Sequence, residues 1–357
     1  MAACPAAEIV DNWVMAVHLV TGGSGFVGAA IVRRLGERGE GVRVFDLRRA
    51  PDLPQGVTFI QGDILDEAAL GAAMQGVAYV HHTVALVPLT KADARYDRVN
   101  ADGTALALAC AARAKIRFFS HLSSSAIFGA PSAMPVTAAT PLAPIEAYGR
   151  AKREADERVR AAQAAGLLPT ACIRPRTILG PGRLGIFSIL FEWIRDGASV
   201  YVIGDGNNRF QFVHVDDVAE VSIQACLQER PGCYNVGTDR FGTLREDLSW
   251  LIAQAGSRSR VRSLPAGPAI ALLSCLDRLG LSPLAPWHYL TYHRPFWYES
   301  GPVAEQLGWR PRFSNRDMLL DGYRWFVDGG AAADASIHRS PTRQGVLRGL
   351  KAVSRWL

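Results

Sequence analysis

The stretch Val17-His-Leu-Val-Thr-Gly-Gly-Ser-Gly-Phe-Val-Gly28 decides the fold. It starts with a short apolar run, which predicts a strand, and a helical pattern follows it as far as Arg38. Of three glycines so placed, the first permits a tight turn, the second lets the backbone approach a pyrophosphate, and the third lets the helix pack close to the strand. The helix N-terminus would then face the phosphates. The stretch therefore predicts a dinucleotide site formed by Gly22, Gly25 and Gly28.

Short apolar runs alternate with alanine-rich helical stretches through the first half of the chain. The predicted strands are 17–20, 41–46, 57–60, 77–83, 116–122 and 170–175. They lack polar alternation, as expected of strands covered on both faces, and their spacing is typical of βαβ units. We predict an α/β fold, namely a Rossmann-type doubly wound parallel sheet with a smaller C-terminal substrate-binding region.

The alternation weakens after about residue 180, and this change indicates how the chain is organised. We expect an N-terminal extension over 1–15 and a dinucleotide-binding domain over 16–180. The substrate-binding region would cover 181–328, interleaved with the last strands of the sheet, and 329–357 would be a basic, amphipathic tail.

Composition narrows the class of protein. The chain has 357 residues, 49% of them hydrophobic, which is enough for a sizeable core, and a net charge of +6. No basic run is interleaved with aromatic residues, so nucleic acid is not an expected partner. The six cysteines are scattered without metal-ligand spacing, which predicts no metal site and a reducing compartment. With no signal-peptide pattern at the start, we expect a cytoplasmic protein.

An acidic residue ends the second predicted strand. Asp46 follows the last glycine of the loop by 18 residues, where a carboxylate would bind the hydroxyls of the adenosine ribose. A carboxylate there would repel a 2′-phosphate, so the sequence favours NAD. Arg48 and Arg49 leave NADP open, because either side chain could reach that phosphate.

A tyrosine and a rare lysine are spaced by one helical turn. Tyr148 precedes Lys152 by four residues, and the lysines of the chain number only four. Residues at this spacing share a helix face, and a nearby ammonium favours the phenolate. The pair therefore predicts a proton-transfer group, although an isolated match of this kind occurs on many surface helices.

Several motifs together resemble one family, the extended short-chain dehydrogenase/reductases, over roughly residues 16–327. In chain order they are the glycine loop, Gly62-Asp63, Asn100-x-x-Gly-Thr104, Ser123-Ser-Ser-Ala-Ile-Phe-Gly129, Tyr148-x-x-x-Lys152 and Arg174-Pro175. The resemblance implies the Rossmann-type fold, NAD or NADP as cofactor, and a homodimer.

The resemblance also assigns roles to individual residues. The implied catalytic set is Ser124, Tyr148 and Lys152: the tyrosine takes the proton of a secondary alcohol while hydride leaves its carbon, and the serine hydrogen-bonds the reacting oxygen. The cofactor-binding residues that it implies are Gly22, Gly25, Phe26, Gly28, Asp46, Asp63, Ile64, Ala85, Tyr148, Lys152 and Pro175. Asn100 is expected to fix helix geometry rather than to perform chemistry.

The substrate is indicated less directly. Nucleotide-sugar members of the family carry Arg-Asp-Tyr/Phe before a late strand, whereas this chain has Phe210 and Gln211 at the first two positions and Arg209 one residue out. A shift of one residue in a strand moves a side chain to the other face. Here the sequence looks more like the branch of 3β-hydroxysteroid and sterol-4-carboxylate 3-dehydrogenases, which implies a sterol-like or lipid-like substrate. These three residues are the candidate substrate contacts.

Two other functions stay open at this point. A bulge could still bring Arg209 to a diphosphate, so a nucleotide-sugar 4-epimerase, dehydratase or reductase is the alternative enzyme. A catalytically silent NAD(P)-sensing regulator is the alternative outside enzymes. Its signature would be a broken Ser/Tyr/Lys set, and the set in this sequence is intact.

Two segments suggest contact with the inner face of a membrane. Residues 268–298 are apolar and then dense in aromatics, although a core helix beside an aromatic cluster would show the same pattern. Within 335–357, if helical, apolar and basic side chains occupy separate faces, as in an interfacial helix. A disordered tail is the alternative for so short a segment.

Overall fold

The computed structural model describes residues 16–87, 93–182, 185–279, 282, 284, 286–299 and 301–329. The predicted extension over 1–15 and, apart from residue 329, the predicted tail lie outside the described residues. One of the two predicted membrane-contact segments, 335–357, therefore lies outside them as well.

Strands and helices alternate as the sequence predicts. The strands are β1 Val17–Thr21, β2 Gly41–Asp46, β3 Thr58–Gln61, β4 Tyr79–His82, β5 Phe118–Leu122, β6 Thr170–Pro175, β7 Thr177–Leu179, β8 Val200–Ile203, β9 Phe212–His214, β10 Gly232–Val236 and β11 Val261–Leu264. The helices are α1 Phe26–Glu37, α2 Glu67–Ala73, α3 Asp93–Tyr96, α4 Gly103–Arg113, α5 Ala147–Ala164, α6 Phe187–Arg195, α7 Val215–Leu227, α8 Leu244–Gln254, α9 Ala266–Arg278, α10 Pro286–Thr291, α11 Gly301–Leu307 and α12 Asn315–Val327. A π-helix over Asp97–Asp102 joins α3 to α4, and a 3-10 turn over Ser125–Phe128 follows β5.

Seven strands form one parallel sheet in the order β10-β6-β5-β4-β1-β2-β3. From β1 the chain adds β2 and β3 on one side. It then crosses back and adds β4, β5 and β6 on the other side of β1, so the topological switch point lies between β1 and β4. Ligands of such sheets bind at the carboxyl ends of the strands near that point. The predicted α/β fold with a Rossmann-type doubly wound sheet is confirmed.

Helices cover both faces of the sheet, which explains why its strands are apolar without alternation. Leu19 and Val20 are neighbours on β1 and belong to different apolar clusters, because successive side chains of a strand point to opposite faces. One cluster joins the sheet to α1 and α7, and the other joins it to α2, α4 and α5. The result is a three-layer core that fixes the loops at the carboxyl edge.

The C-terminal half adds a strand to the sheet and builds a smaller unit beside it. Strand β10 lies at the edge of the sheet next to β6. The rest forms two two-stranded parallel pairs, β7 with β9 and β8 with β11. Its own apolar cluster brings α6, α8 and α12 together. The boundary near residue 180 stays a prediction.

Helix α9 is unusual among the described helices. None of its residues is buried, although most of them are apolar, and Leu272 is 61% exposed. Nowhere in the described ranges does a helix combine the length and the hydropathy that crossing a bilayer requires.

Candidate active site at the carboxyl edge of the sheet

A cavity of about 260 Å³ lies at the carboxyl ends of β1, β4, β5 and β6, beside the switch point. Its walls come from the segments that follow these four strands, together with the starts of α1, α5 and α6 and the segment around α10. The predicted site residues that line it are Gly22, Gly25, Phe26, Gly28, Ala85, Ser124, Tyr148, Lys152 and Pro175. The structure therefore brings the glycine loop and the Ser/Tyr/Lys set into one cavity.

The glycine loop has the close packing that its sequence predicts. Gly22 has a φ of 74°, which favours glycine, and its amide donates to the carbonyl oxygen of Phe45 at 2.8 Å. A Cβ on Gly28 would lie 2.1 Å from the carbonyl oxygen of Gly22, so helix and loop touch. Helix α1 begins after Gly25 without a capping side chain or an acid in its first turn. Its N-terminal amides therefore suit the pyrophosphate of a dinucleotide.

Three other predicted cofactor residues lie near the loop but not on the cavity wall. Asp46 ends β2, and its Oδ2 accepts a hydrogen bond from the amide of Ser24 in the glycine loop at 3.0 Å. The Oδ1 of Asp63 accepts from the amide of Leu65 at 3.0 Å. Ile64 is buried in the core between the sheet and α4. Their contacts with the cofactor stay predictions.

Tyr148 and Lys152 occupy the first two turns of α5 and both line the cavity. The carboxylate of Glu146 caps this helix by accepting from the amides of Tyr148 and Gly149, each at 2.7 Å. The cap fixes the tyrosine at the cavity edge. Tyr148 is partly exposed, and its ring lies edge-on to that of Tyr96 at 6.0 Å.

Lys152 is buried, with 2% of its surface exposed. Its Nζ donates to the carbonyl oxygen of Leu122, at the end of β5, at 2.5 Å. Burial lowers the pKa of Lys152 to about 8, and the nearby Asp156 opposes that shift. An ammonium held this close to neutrality can stabilise a phenolate and also take part in proton exchange.

The three consecutive serines after β5 have different partners. Ser123 donates to Oδ2 of Asp156 at 2.8 Å, and Ser125 accepts from Nη1 of Arg176 at 3.0 Å. Ser124 caps the 3-10 turn, where its Oγ accepts from the amide of Ala126 at 3.1 Å. That bond leaves the hydroxyl proton of Ser124 available as a donor. Ser124 is therefore the serine best placed to hydrogen-bond a reacting oxygen.

Asn100 lies in the π-helix. It does not line the cavity, but it supports a segment that does. Its Oδ1 accepts from the amide of Leu86 at 2.8 Å, and its Nδ2 donates to the carbonyl oxygen of Leu86 at 3.0 Å. This two-way pairing fixes the segment after β4, which includes the cavity residue Ala85. Deeper in the sheet, the buried ring of His82 bridges Thr21 and Thr104 and fastens β4 to β1 and α4.

The three predicted substrate residues do not line the cavity, although the ring of Phe210 packs behind the lining residues Arg176 and Tyr292. Arg209 is exposed, and its guanidinium lies over the rings of Phe241 at 4.6 Å and Trp297 at 4.9 Å. The amide of Gln211 is used at both ends: it donates to the carbonyl oxygen of Thr238 and accepts from the amide of Tyr298. Phe210 is buried. A direct substrate contact for these three side chains stays a prediction.

Sequence reasoning missed one part of the cavity wall. It is formed by Arg176, Thr177, Ile178, Gly185, Ile186, Phe187, Trp287, His288 and Tyr292. Arg176 could have been found, because it follows the Arg174-Pro175 motif at the carboxyl end of a strand, where sites of such sheets lie. The residues from α6 and α10 carry no local motif and reach the cavity only through the packing of the C-terminal unit.

Comparison with known proteins decides the family. The model of the NAD dependent epimerase/dehydratase family matches residues 18–237, more than half of the chain. The chain belongs to that family. NAD is the cofactor that the family name states, and the glycine cradle and the uncapped α1 fit it, so the predictions of an enzyme and of NAD are confirmed.

Members of the family resemble this chain over most of its length. The uncharacterized protein y4nG of Sinorhizobium fredii is 39% identical over 337 residues, 94% of this chain and 85% of the relative. The 3 beta-hydroxysteroid dehydrogenase/Delta 5-->4-isomerase of Mycobacterium tuberculosis is 33% identical over 343 residues, covering 87% of this chain and 90% of the relative. The Bordetella bronchiseptica enzyme WbmG in complex with NAD has the same fold, with a TM-score of 0.73, 18% identity, and coverage of 92% of this chain and 99% of that one.

Proposed function

We propose that this family member interconverts a secondary alcohol and a ketone on a lipid-like substrate of sterol type, with NAD as the hydride carrier. The observation that carries this proposal is the part of the cavity wall formed by the segment after β6 and by the C-terminal half of the chain. Much of it is apolar or aromatic, with Ile178, Ile186, Phe187, Trp287 and Tyr292. Such a surface suits a hydrocarbon skeleton, because burying apolar area against it is favourable.

NAD supplies the chemistry of the step, since its nicotinamide accepts the hydride. The chain's own residues handle the proton and the oxygen. Tyr148 acts as a phenolate, which the ammonium of Lys152, fixed on the carbonyl oxygen of Leu122, stabilises. The phenolate takes the hydroxyl proton of the substrate and becomes the neutral phenol. Ser124 donates its free proton to the oxygen as it becomes a carbonyl. In the reverse direction the same three groups reduce a ketone.

Two further observations favour the lipid over a nucleotide sugar. The relative named as a 3 beta-hydroxysteroid dehydrogenase is 33% identical to this chain over 343 residues, which supports a substrate of that class. Arg209, the candidate for a diphosphate, lies between two rings outside the cavity wall. Its guanidinium would have to leave both rings to reach a diphosphate in the cavity, at a cost of roughly 1 kcal/mol for each cation–π contact.

A substrate screen tests the proposal. Purified protein with NAD is offered 3β-hydroxysterols, medium-chain 3-hydroxy lipids and nucleotide sugars, and nicotinamide absorbance is followed. We expect net NAD reduction with a sterol or lipid alcohol and none with the sugars. Conversion of a nucleotide sugar without net change in absorbance would identify an epimerase and refute the proposal.

Helix α9 supports peripheral membrane contact through the first part of the predicted segment 268–298, whereas Trp287, Tyr289 and Phe296 in its second part are buried. The surface of this helix is apolar and unburied, with Leu272 61% exposed. Leu272→Glu should reduce sedimentation with liposomes that contain anionic lipid, and Leu227→Glu on α7, an exposed leucine elsewhere, is the matched control. Equal sedimentation of wild type and both variants would contradict the contact. A contribution of 335–357 to membrane contact stays a prediction.

The homodimer that the family resemblance implies is also a proposal. Sedimentation equilibrium of the purified chain across a hundredfold range of concentration tests it. A mass of one chain of 38.6 kDa at every concentration would contradict a dimer.

A further inference from the structure

Arg176 is a charged side chain buried in the cavity wall. It follows β6 directly, lines the cavity, and has 2% of its surface exposed. Its guanidinium carbon lies 3.9 Å from the centre of the Phe296 ring and 4.7 Å from that of Phe210. Two ring faces therefore hold the planar group in one orientation.

The hydrogen-bonding capacity of Arg176 is largely unused. Nη1 donates to the hydroxyl of Ser125 at 3.0 Å, and Nε is buried without a partner. Within the described part of the chain no carboxylate pairs with it. Burial lowers the pKa of Arg176 to about 10, so the guanidinium stays charged at pH 7. A guanidinium has five N–H donors. Most of those of Arg176 are therefore available to a ligand.

Arg174, two residues earlier, shows what a structural arginine of this strand looks like. Its Nε and Nη2 donate to the two carboxylate oxygens of Asp156 at 2.8 and 2.6 Å. Burial disfavours its charge, but these bonds outweigh burial and raise the pKa of Arg174. Arg174, which has a structural role, thus has Asp156 as its counter-ion. Within the described residues Arg176 has no such counter-ion.

A buried charge without a counter-ion is costly, and the two ring contacts offset only part of that cost. Residues that carry such a cost are common where a ligand completes the pairing. The planar fork of a guanidinium fits a carboxylate or a phosphate through two parallel hydrogen bonds. An anion is therefore the missing partner that the geometry best fits.

The pyrophosphate of the cofactor does not fill this role. It belongs at the glycine loop after β1, and β6 is three strands away in the sheet. With strands about 4.8 Å apart, three steps are roughly 14 Å. Arg176 instead donates to Ser125, the residue after Ser124, and lines the same cavity as the Ser/Tyr/Lys set.

We propose that Arg176 binds an anionic group of the substrate, a carboxylate or a phosphate, close to the carbon that is oxidised. This inference rests on the proposed alcohol–ketone function, and it narrows the substrate class. The apolar wall together with one cation indicates an amphiphile, such as a hydroxy acid with a long or polycyclic hydrocarbon part.

Matched substrates and variants test the role of Arg176. Oxidation of 3-hydroxyoctanoate is compared with that of its methyl ester, in wild type, Arg176→Lys and Arg176→Met. We expect wild type to favour the acid in kcat/KM by roughly ten- to hundredfold, as for a hydrogen bond to a charged group. Arg176→Met should lose this preference, because its kcat/KM for the acid should fall much further than its kcat/KM for the ester, and Arg176→Lys should keep part of the preference. A preference that survives in Arg176→Met, or is absent in wild type, overturns the proposal.

A binding assay separates this proposal from the proposed function. Thermal unfolding of the NAD-loaded protein is measured with octanoate, octanol and uridine diphosphate. Protection by octanoate in wild type but not in Arg176→Met supports the anion site even if no alcohol is turned over. Protection by uridine diphosphate that depends on Arg176 supports the anion site and contradicts the lipid substrate. Equal protection of wild type and Arg176→Met by both anions overturns the role of Arg176 and leaves the alcohol–ketone function standing.

Discussion

Replacing Lys152 by methionine is expected to make the folded protein more stable at pH 7 while it loses activity. The side chain is buried, and its ammonium has one hydrogen bond, to the carbonyl oxygen of Leu122. Methionine has a similar length and no charge, so it can occupy the same space without the cost of burying an ammonium.

The size of the effect follows from the pKa of Lys152, which burial lowers from 10.5 to about 8. Since one pKa unit corresponds to about 1.4 kcal/mol, the charged form costs the fold about 3 kcal/mol. The variant also leaves the carbonyl oxygen of Leu122 without its donor, which removes roughly 1 kcal/mol of the gain. We expect a net increase of about 2 kcal/mol in the free energy of unfolding.

The pH dependence isolates this cause. Because the folded pKa of Lys152 lies below the unfolded one, the unfolded chain binds more protons between pH 8 and 10.5, and wild-type stability rises with pH there. The advantage of Lys152→Met should therefore be full below pH 8 and shrink through that window. Above it the variant should be less stable than wild type by roughly 1 kcal/mol, because only the lost hydrogen bond remains. Groups that titrate in both proteins cancel in the difference.

Urea unfolding of nucleotide-free protein at several pH values measures this difference. Arg150→Met is the matched control, because Arg150 is exposed on the same helix and should change stability by less than about 0.5 kcal/mol. The reasoning is refuted if Lys152→Met is less stable than wild type at pH 7, or if its advantage does not change between pH 7 and pH 10.

Three other substitutions, the first with a matched control, test the site and the contacts that support it. Gly28→Ala would bring a methyl group 2.1 Å from a loop carbonyl oxygen, so the Kd for NAD should rise at least tenfold by fluorescence titration. Gly36→Ala on the same helix meets nothing within 4 Å and should leave the Kd unchanged. Asp46→Asn should lower the preference for NAD over NADP in kcat/KM by roughly tenfold, and an unchanged ratio would contradict the ribose contact. Asp156→Ala leaves Arg174 buried without its carboxylate and should cost about 3–5 kcal/mol in urea unfolding, whereas a cost below about 1 kcal/mol would contradict that pairing.

The fold was predictable because its signals are local. The run before the glycine loop and the strand that ends at Asp46 are both apolar and bounded by turn residues, and the structure starts and ends β2 where the sequence predicts. The strand predicted over 77–83 is shorter in the structure, Tyr79–His82, because pairing with β1 and β5 ends there. The π-helix around Asn100 had no signal in the sequence, and the hydrogen bond of Asn100 to Leu86 joins residues 14 positions apart.

The candidate site was predictable only on its cofactor side. The Ser/Tyr/Lys spacing follows from one strand and one helix, so local sequence placed Ser124 and Lys152 in the same cavity. The substrate side depends on how the C-terminal unit folds back. The side chain of Gln211 forms hydrogen bonds with the backbone of Thr238 and Tyr298 instead of lining the cavity. Trp287 does line the cavity, although it follows Tyr148 by more than 100 residues. Such long-range packing leaves no pattern in a single sequence.

The most direct measurement of the central proposal is the rate of NAD reduction by wild type and Tyr148→Phe. Both are assayed with the sterol or lipid alcohol that wild type oxidises fastest, and the Kd for NAD is measured in parallel. We expect Tyr148→Phe to be slower by roughly 10²–10⁴-fold, the contribution of a positioned proton-transfer group, with its Kd for NAD within about threefold of wild type. A Tyr148→Phe variant that reduces NAD at the wild-type rate would contradict the proposed mechanism.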